Sequence, residues 1–190
     1  VHMPEVEEWT WSTLKLNLAK DGRVRRVGIN FGAPGDRQAD DGTLWLDYPS
    51  VGGPSPDIPI TMTPTNATWF RRHSAVMKGG PLPWVGASGL EGEVSMTLSL
   101  NDSASHTNLE GTATASPSRD TTYTVRLVFS EPADIQPGER IFDVALQGQS
   151  VLKQFDIVKE TGASLHSSIK EFRNISIGDN LNIDLIRSPG

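Results

Sequence analysis

The chain contains no cysteine. It therefore has no disulfide framework, no thiolate zinc or iron–sulfur site, no c-type haem attachment and no cysteine nucleophile. It also has no apolar run near the ~20 residues that a bilayer-crossing helix needs, so no membrane insertion is expected. Aromatic residues make up 7% and charged residues 21% of the 190 residues, which is typical of a soluble globular protein.

Positive charge is also scarce. Lys and Arg number 17 against 23 Asp and Glu, which gives a net charge of −6. This is the wrong sign for a surface that neutralises nucleic-acid phosphates, so nucleic acid is not expected as a partner. The start Val1-His2-Met3 has no apolar segment of a targeting signal and is interpreted as a cloning remnant ahead of a fragment. The length then predicts one domain over residues 4–190.

Apolar and polar residues alternate with a period of two along much of the chain, as strands buried on one face require. Glycine- and proline-rich turns separate these segments, and about ten short strands at this spacing predict an all-β antiparallel sandwich. The predicted strands include residues 14–18, 94–100, 123–129, 142–146, 151–158, 175–177 and 181–185. The one candidate for a helical turn lies around residues 167–172, and its pattern is short enough to indicate a loop equally well. Residues 101–120, rich in Ser, Thr, Ala and Asn, predict an exposed insertion.

A search for catalytic motifs predicts no enzyme. The segment around Ser88 lacks the final glycine of a nucleophile elbow, because Leu90 stands in its place. The four histidines, including His166, show no spacing that would place two imidazoles on one face for zinc. The aspartates of Phe142-Asp143-Val144 and Phe155-Asp156-Ile157 are interpreted as outward or turn-bonding groups beside core rows, in preference to a catalytic pair.

An acidic loop runs from Gly35 to Gly42 and contains Asp36, Asp40 and Asp41. Carboxylates in a tight loop could hold calcium, but the spacing does not match an EF-hand. We favour carboxylates that cap turns and pair with Arg37, with a structural calcium ion as the alternative. No other cofactor is expected.

Large aromatic residues fall in or beside the glycine- and proline-rich segments of the first half, at Trp45, Tyr48, Trp69 and Trp84. An indole or phenol face is a rigid platform for the C–H face of a sugar ring, and neighbouring polar groups such as Asp47 can bond its hydroxyls. This pattern predicts a carbohydrate site. The alternative is that these rings plug the ends of the sandwich, since large aromatics are usually mostly buried.

The second half carries an ordered set of motifs: YTVRLVFSEP from Tyr123, GERIFDVALQGQSVLKQFDIVKETG from Gly138, and NLNIDLIRS from Asn180. This set resembles the malectin and malectin-like carbohydrate-binding family. The resemblance implies a galactose-binding-like jelly-roll sandwich without catalysis that binds glycans through loop aromatics. By position it implies ligand contacts at Trp84, Tyr48 and His166.

The segment from Asn30 to Gly53 also resembles regions of large secreted or periplasmic proteins of planctomycete-type bacteria, which implies an extracytoplasmic setting. The favoured hypothesis is a non-catalytic carbohydrate-binding module with an oligosaccharide or polysaccharide partner. The alternative is a structural or protein-interaction sandwich that packs against neighbouring domains of a longer polypeptide. Partly exposed aromatics around a shared groove would favour the first hypothesis.

Overall fold

The computed structural model describes residues 14–52, 56–101 and 120–188. The strands in these ranges are β1 (Asn17–Leu18), β2 (Val24–Arg26), β3 (Gly28–Phe31), β4 (Arg37–Gln38), β5 (Leu44–Tyr48), β6 (Ile60–Thr63), β7 (Thr68–Arg71), β8 (Ser88–Glu91), β9 (Val94–Ser99), β10 (Thr121–Ser130), β11 (Phe142–Leu146), β12 (Gln149–Phe155), β13 (Ser167–Ile177) and β14 (Asn180–Arg187). The helices are α1 (Pro83–Gly86) and α2 (Ile157–Thr161), and a 3-10 helix covers Ser74–Val76.

The largest sheet has five strands in the order β12-β11-β14-β9-β6, and every neighbouring pair in it is antiparallel. Strand β9 buries alternate residues, with Val94, Met96 and Leu98 pointing into the core. Its neighbour β14 does the same with Leu181 and Ile183. The alternation of apolar and polar residues that predicted these strands therefore also identifies the side of each strand that faces the core.

The remaining strands form smaller sheets opposite this one. Strands β10 and β13 pair antiparallel over most of their length, β7 pairs with β8, and β1 with β2. Strand β5 lies between β4, which runs antiparallel to it, and β3, which runs parallel. The parallel pair is a departure from the purely antiparallel arrangement predicted from the sequence.

A hydrophobic core joins the two sets of strands. Buried side chains from the five-stranded sheet pack in one cluster with buried side chains from β2, β5, β10 and β13, including Val24, Leu44, Leu46, Val125 and Ile177. Burial of apolar surface from both sides makes this arrangement a β-sandwich. The predicted all-β sandwich is confirmed.

Two local predictions are wrong. Residues 167–172, predicted as a helical turn or a loop, lie in β13, where pairing with β10 overrides a short local pattern. The strand predicted over residues 151–158 ends at Phe155, and α2 follows. Asp156 caps this helix by accepting the Lys159 N–H at 3.0 Å, and Gly162 ends it with a left-handed φ of 79°.

The N-terminal strand, the predicted insertion and the helices also bear on the sequence-based predictions. Strand β1 is shorter than the segment predicted over residues 14–18. Most of the predicted insertion, residues 102–119, lies outside the described residues. Among the helices that the structure describes, none has the length and apolar character needed to cross a membrane.

Candidate functional site

Trp45 is held in place by a glycine on the neighbouring strand. Trp45 on β5 pairs in parallel register with Gly28 on β3. A Cβ atom built on Gly28 would lie 2.1 Å from Cδ2 of the indole, so only glycine leaves room for the ring at this position. The close packing of backbone against one indole face fixes the plane of the ring.

Trp84 stands on α1 and meets Trp45 edge to face. The ring centroids are 5.4 Å apart and the ring planes lie at 80°. The Ser130 hydroxyl donates a hydrogen bond to the Gly86 carbonyl at 2.5 Å, which ties α1 to strand β10. The Cζ atom of Arg37 lies 4.6 Å from the centroid of the Trp84 ring, at the distance of a cation–π contact.

Both indoles line one large cleft, which we call the tryptophan cleft. Its volume is about 1800 Å³, and it extends from the surface to core residues such as Met96 and Ile177. Trp45 and Trp84 are each partly exposed. Polar and aromatic side chains share the wall with them, among them Arg25, Arg26, Phe31, Arg37, Asp40 and Glu91. Apolar ring faces beside a few polar groups are what a small-molecule or sugar site requires.

The other two predicted aromatics form a second group around Phe31. The Tyr48 and Trp69 rings lie 5.7 and 6.4 Å from Phe31, and 6.3 Å from each other. Trp69 is 36% exposed. The Tyr48 hydroxyl donates to the Ile60 carbonyl at 3.1 Å. Phe31 belongs to this group and also lines the tryptophan cleft, so it connects the two aromatic groups.

Asp47 is buried, with only 5% of its surface exposed. Its carboxylate accepts the Val51 N–H at 3.1 Å, and its own N–H donates to Asp36 at 2.8 Å. Burial and the neighbouring Asp36 carboxylate raise the pKa of Asp47 above its ordinary value. Asp47 is therefore placed to hold the turn that follows β5, and it does not line the tryptophan cleft.

The acidic loop is organised by turn capping. Asp41 accepts the Thr43 N–H at 2.9 Å, and this bond lowers the pKa of Asp41. Asp36 caps Asp47, and Asp40 is exposed at the cleft. Arg37, predicted to pair with these carboxylates, packs on Trp84 instead. Among the described residues, no three His, Asp or Glu side chains come together as a metal-binding group.

His166 is not among the residues that line the tryptophan cleft. Its ring packs on Gly79, where an added Cβ would come within 2.5 Å of Cδ2. Its Nδ1 atom lies 3.1 Å from the Ser164 carbonyl oxygen. Of the predicted aromatic and histidine site residues, Trp45 and Trp84 line the cleft, Tyr48 and Trp69 form the Phe31 group, and His166 lines neither. Their roles as sugar contacts stay predictions.

The second half of the chain matches a known protein family. The malectin domain model matches residues 110–187. This segment is less than half of the chain, and it is similar to malectin domains. None of the curated proteins matches the chain.

Solved structures show the same fold over most of the chain. The plant receptor-like kinase ANX2 aligns with a TM-score of 0.55 and 13% identity, covering 84% of this chain and 42% of its own. The ANX1 ectodomain from Arabidopsis thaliana gives 0.54 and 13%, with coverage of 84% and 42%. A Bacteroides uniformis β-glucuronidase gives 0.52 and 12%, with coverage of 85% and 16%. The chain thus spans less than half the length of these proteins.

Sequence reasoning missed a buried carboxylate in the malectin region. Glu131 is 1% exposed, and its Oε2 atom lies 3.1 Å from Arg140. Its Oε1 atom accepts the Ala133 N–H at 2.9 Å. Burial raises the pKa of Glu131, while Arg140 opposes the shift. The other terminal nitrogen of Arg140 lies 3.4 Å from Glu91, so the two carboxylates share one guanidinium.

The two aspartates of the malectin strand motifs bond to backbone and hydroxyl groups, as predicted. Asp143 accepts the Gln154 N–H at 2.7 Å and the Ser188 hydroxyl at 2.5 Å. Both bonds lower the pKa of Asp143. Asp156 caps α2 and also accepts the Gly138 N–H at 2.6 Å. Neither aspartate lines the tryptophan cleft.

Proposed function

We propose that this chain is a non-catalytic carbohydrate-binding module that holds a glycan in the tryptophan cleft. The observation that carries the proposal is that Trp45 and Trp84, both partly exposed, line one cleft. This is the arrangement expected of a sugar site and not of rings that plug a sandwich. The malectin match over residues 110–187 supports the same class of ligand.

The chemistry of the cleft suits a sugar. Exposed indole surface contacts the C–H face of a pyranose ring, and polar side chains at the wall bond the hydroxyls. Arg25, Asp40 and Glu91 supply donors and acceptors there. Exposed indole surface at the mouth of the cleft is open to a glycan, while its inner wall is formed by core residues such as Met96 and Ile177.

The absence of catalysis is part of the proposal. A glycosidase needs two free carboxyl groups facing each other across the scissile bond. Among the carboxylates that line the cleft, Glu91 shares the Arg140 guanidinium with the buried Glu131, Glu171 pairs with Arg126 and Arg173, and Asp41 accepts the Thr43 N–H. Asp36 and Asp47, which lie close together, are engaged with backbone N–H groups and are not part of the cleft wall.

The proposed setting is extracytoplasmic, in a secreted, periplasmic or cell-surface protein. An ectodomain is among the structural neighbours. A stacking site of this kind binds weakly alone and gains from avidity when other binding domains share the polypeptide. The module is thus proposed to work beside neighbouring domains.

A glycan array tests the proposal. The wild-type chain, labelled for detection, is applied to glucose- and galactose-containing oligomers, and positive glycans are titrated by tryptophan fluorescence. Trp84→Ala should weaken binding about tenfold or more, because it removes one wall of the cleft. Trp69→Ala removes a ring outside the cleft that packs on Phe31 in the cleft wall, and it should weaken binding less than Trp84→Ala.

A second candidate is an interdomain packing role. It is favoured by the share of the neighbours' chains that this fold occupies, 42% of ANX2 and 16% of the glucuronidase. In that case the partly exposed aromatics would lie against another domain of the same polypeptide. A folded chain that binds nothing across a broad glycan panel would overturn the module proposal and favour this role.

A further inference from the structure

A second cavity lies apart from the tryptophan cleft. Its volume is about 600 Å³, and it forms where the end of β7 and the 3-10 helix meet the loops at residues 131–134 and 162–166. We call it the basic pocket. Its wall consists of Arg71, Arg72, His73, Val76, Lys78, Pro132, Ala133, Asp134, Ser164 and Leu165. None of these residues lines the tryptophan cleft.

The charge of the basic pocket is opposite to that of the chain. Arg71, Arg72 and Lys78 supply three positive charges, and Asp134 is the one acidic residue of the wall. The chain as a whole carries −6. Among the described residues, no ion pair or side-chain hydrogen bond engages these three cations. With Asp134 counted, the wall keeps an excess of two positive charges, which favours binding of an anion.

The walls of the pocket are fixed by backbone hydrogen bonds. The Lys78 N–H donates to the Leu165 carbonyl at 2.8 Å, and the Leu165 N–H donates to the Glu131 carbonyl at 2.9 Å. The Arg72 N–H donates to Ala87 at 2.8 Å. The buried Glu131 carboxylate holds the loop at Ala133. Three separate segments are thus joined, so the backbone that carries the cations is fixed.

One polar atom in the pocket lacks a partner. The Ser164 hydroxyl oxygen is buried, and no group of the described residues forms a hydrogen bond with it. A buried hydroxyl without a partner costs about 1–3 kcal/mol. Ser164 is a wall residue of the pocket, and a ligand oxygen that reaches its side chain would accept a hydrogen bond from this hydroxyl. The unpartnered Ser164 hydroxyl and the unpaired cations therefore point to the same kind of ligand.

We propose that the basic pocket binds the anionic group of an acidic sugar, a carboxylate or a sulfate. The inference rests on the proposed glycan partner, and it adds a charged subsite to it. Arginine binds carboxylate and sulfate oxygens through two parallel N–H donors, and lysine adds a point charge. Val76 and Pro132 in the same wall provide apolar contact for the ring that carries the anion.

The test compares acidic and neutral oligosaccharides of the same length by isothermal titration calorimetry. One arm uses a uronic-acid oligomer, one a sulfated oligomer and one inorganic sulfate. We expect at least one acidic oligomer to bind about tenfold more tightly than its neutral counterpart, with affinity falling as salt rises. Equal affinity for acidic and neutral oligomers would overturn the proposal, as would inorganic sulfate binding as tightly as the sulfated oligomer.

Single substitutions in the pocket wall test whether the acidic oligomer binds in the basic pocket. Arg71→Gln and Lys78→Gln should each weaken the acidic oligomer about five- to tenfold, and Ser164→Ala should weaken it less. Lys153→Gln removes an exposed charge outside both cavities and should change nothing. Circular dichroism checks that the variants fold. If the three pocket variants bind the acidic oligomer like the wild type, the pocket is not its site.

The two proposals fail separately. Trp84→Ala should affect neutral glycans, while Arg71→Gln should affect only the gain that the anionic group provides. Loss of neutral binding in Trp84→Ala together with no preference for acidic oligomers would retain the cleft and remove the basic pocket. Acidic binding that depends on Arg71 but not on Trp84 would retain the pocket and remove the cleft.

Discussion

The Trp45 indole lies directly against the backbone of Gly28. The two residues face each other in the parallel register of β5 and β3, and a Cβ on Gly28 would lie within 2.1 Å of the ring. One strand thus presents a bare backbone surface to an aromatic ring on the next. The position of one wall of the tryptophan cleft depends on this contact.

Gly28→Ala should therefore displace the Trp45 ring. Overpacking of this kind costs about 1–3 kcal/mol of unfolding free energy. We expect a lower urea midpoint and a changed near-ultraviolet circular dichroism spectrum. Gly35→Ala is the control, because a Cβ there meets nothing within 4 Å. Equal stability of the two variants would show that Trp45 does not pack on Gly28.

The Tyr48 hydroxyl should matter for stability more than for sugar binding. It donates to the Ile60 carbonyl and so joins β5 to β6. Tyr48→Phe should lower the free energy of unfolding by about 0.5–1.5 kcal/mol in urea denaturation. Glycan affinity of this variant should match the wild type. A large loss of affinity at unchanged stability would instead place the hydroxyl in the binding site.

Glu131 predicts a stability that falls as pH rises. Because burial raises its pKa in the fold, the folded chain holds a proton that the unfolded chain releases above about pH 4.3. This contribution is complete below that pH and is lost as pH rises through the raised pKa. Glu131→Gln should flatten the dependence in denaturation curves measured from pH 4 to 8. An unchanged slope would contradict the assignment to Glu131.

Asp143 predicts the opposite dependence. Its bonds to Ser188 and Gln154 lower its pKa, so its contribution is present above about pH 3.9 and is lost as pH falls through the lowered value. Asp143→Asn should be less stable than the wild type at pH 7 and should approach it near pH 2. Thermal melts at the two pH values check this. A deficit that is equal at both would mean that charge plays no part.

Much of the fold was predictable, because β9 and β14 each alternate over at least five residues and bury one face against a common core. The errors lie where local signals were short. Asp156 and Gly162 cap a helix that an apolar run concealed. Residues 167–172 form a strand because β10 pairs with them, and no local pattern reports a partner some 40 residues away.

The types of residue in the candidate site could be predicted from the sequence, but which of these residues lie together could not. Aromatic residues in turn-rich segments identified Trp45 and Trp84. Their separation from Tyr48 and Trp69 follows from the sheet, which the sequence does not specify. Arg37 reaches Trp84 because β4 pairs beside β5, and Arg71 faces Ser164 across a cavity formed by distant segments. Such neighbours arise from tertiary packing alone.

The measurement that tests the account most directly is the indole N–H region of an NMR spectrum recorded during titration with a glycan positive on the array. The five tryptophans give one resonance each, assigned by single Trp→Phe variants. The account predicts saturable shifts of Trp45 and Trp84, with Trp69 changing little. Binding that shifts Trp69 alone, or leaves the Trp45 and Trp84 resonances unmoved, would contradict the tryptophan cleft as the glycan site.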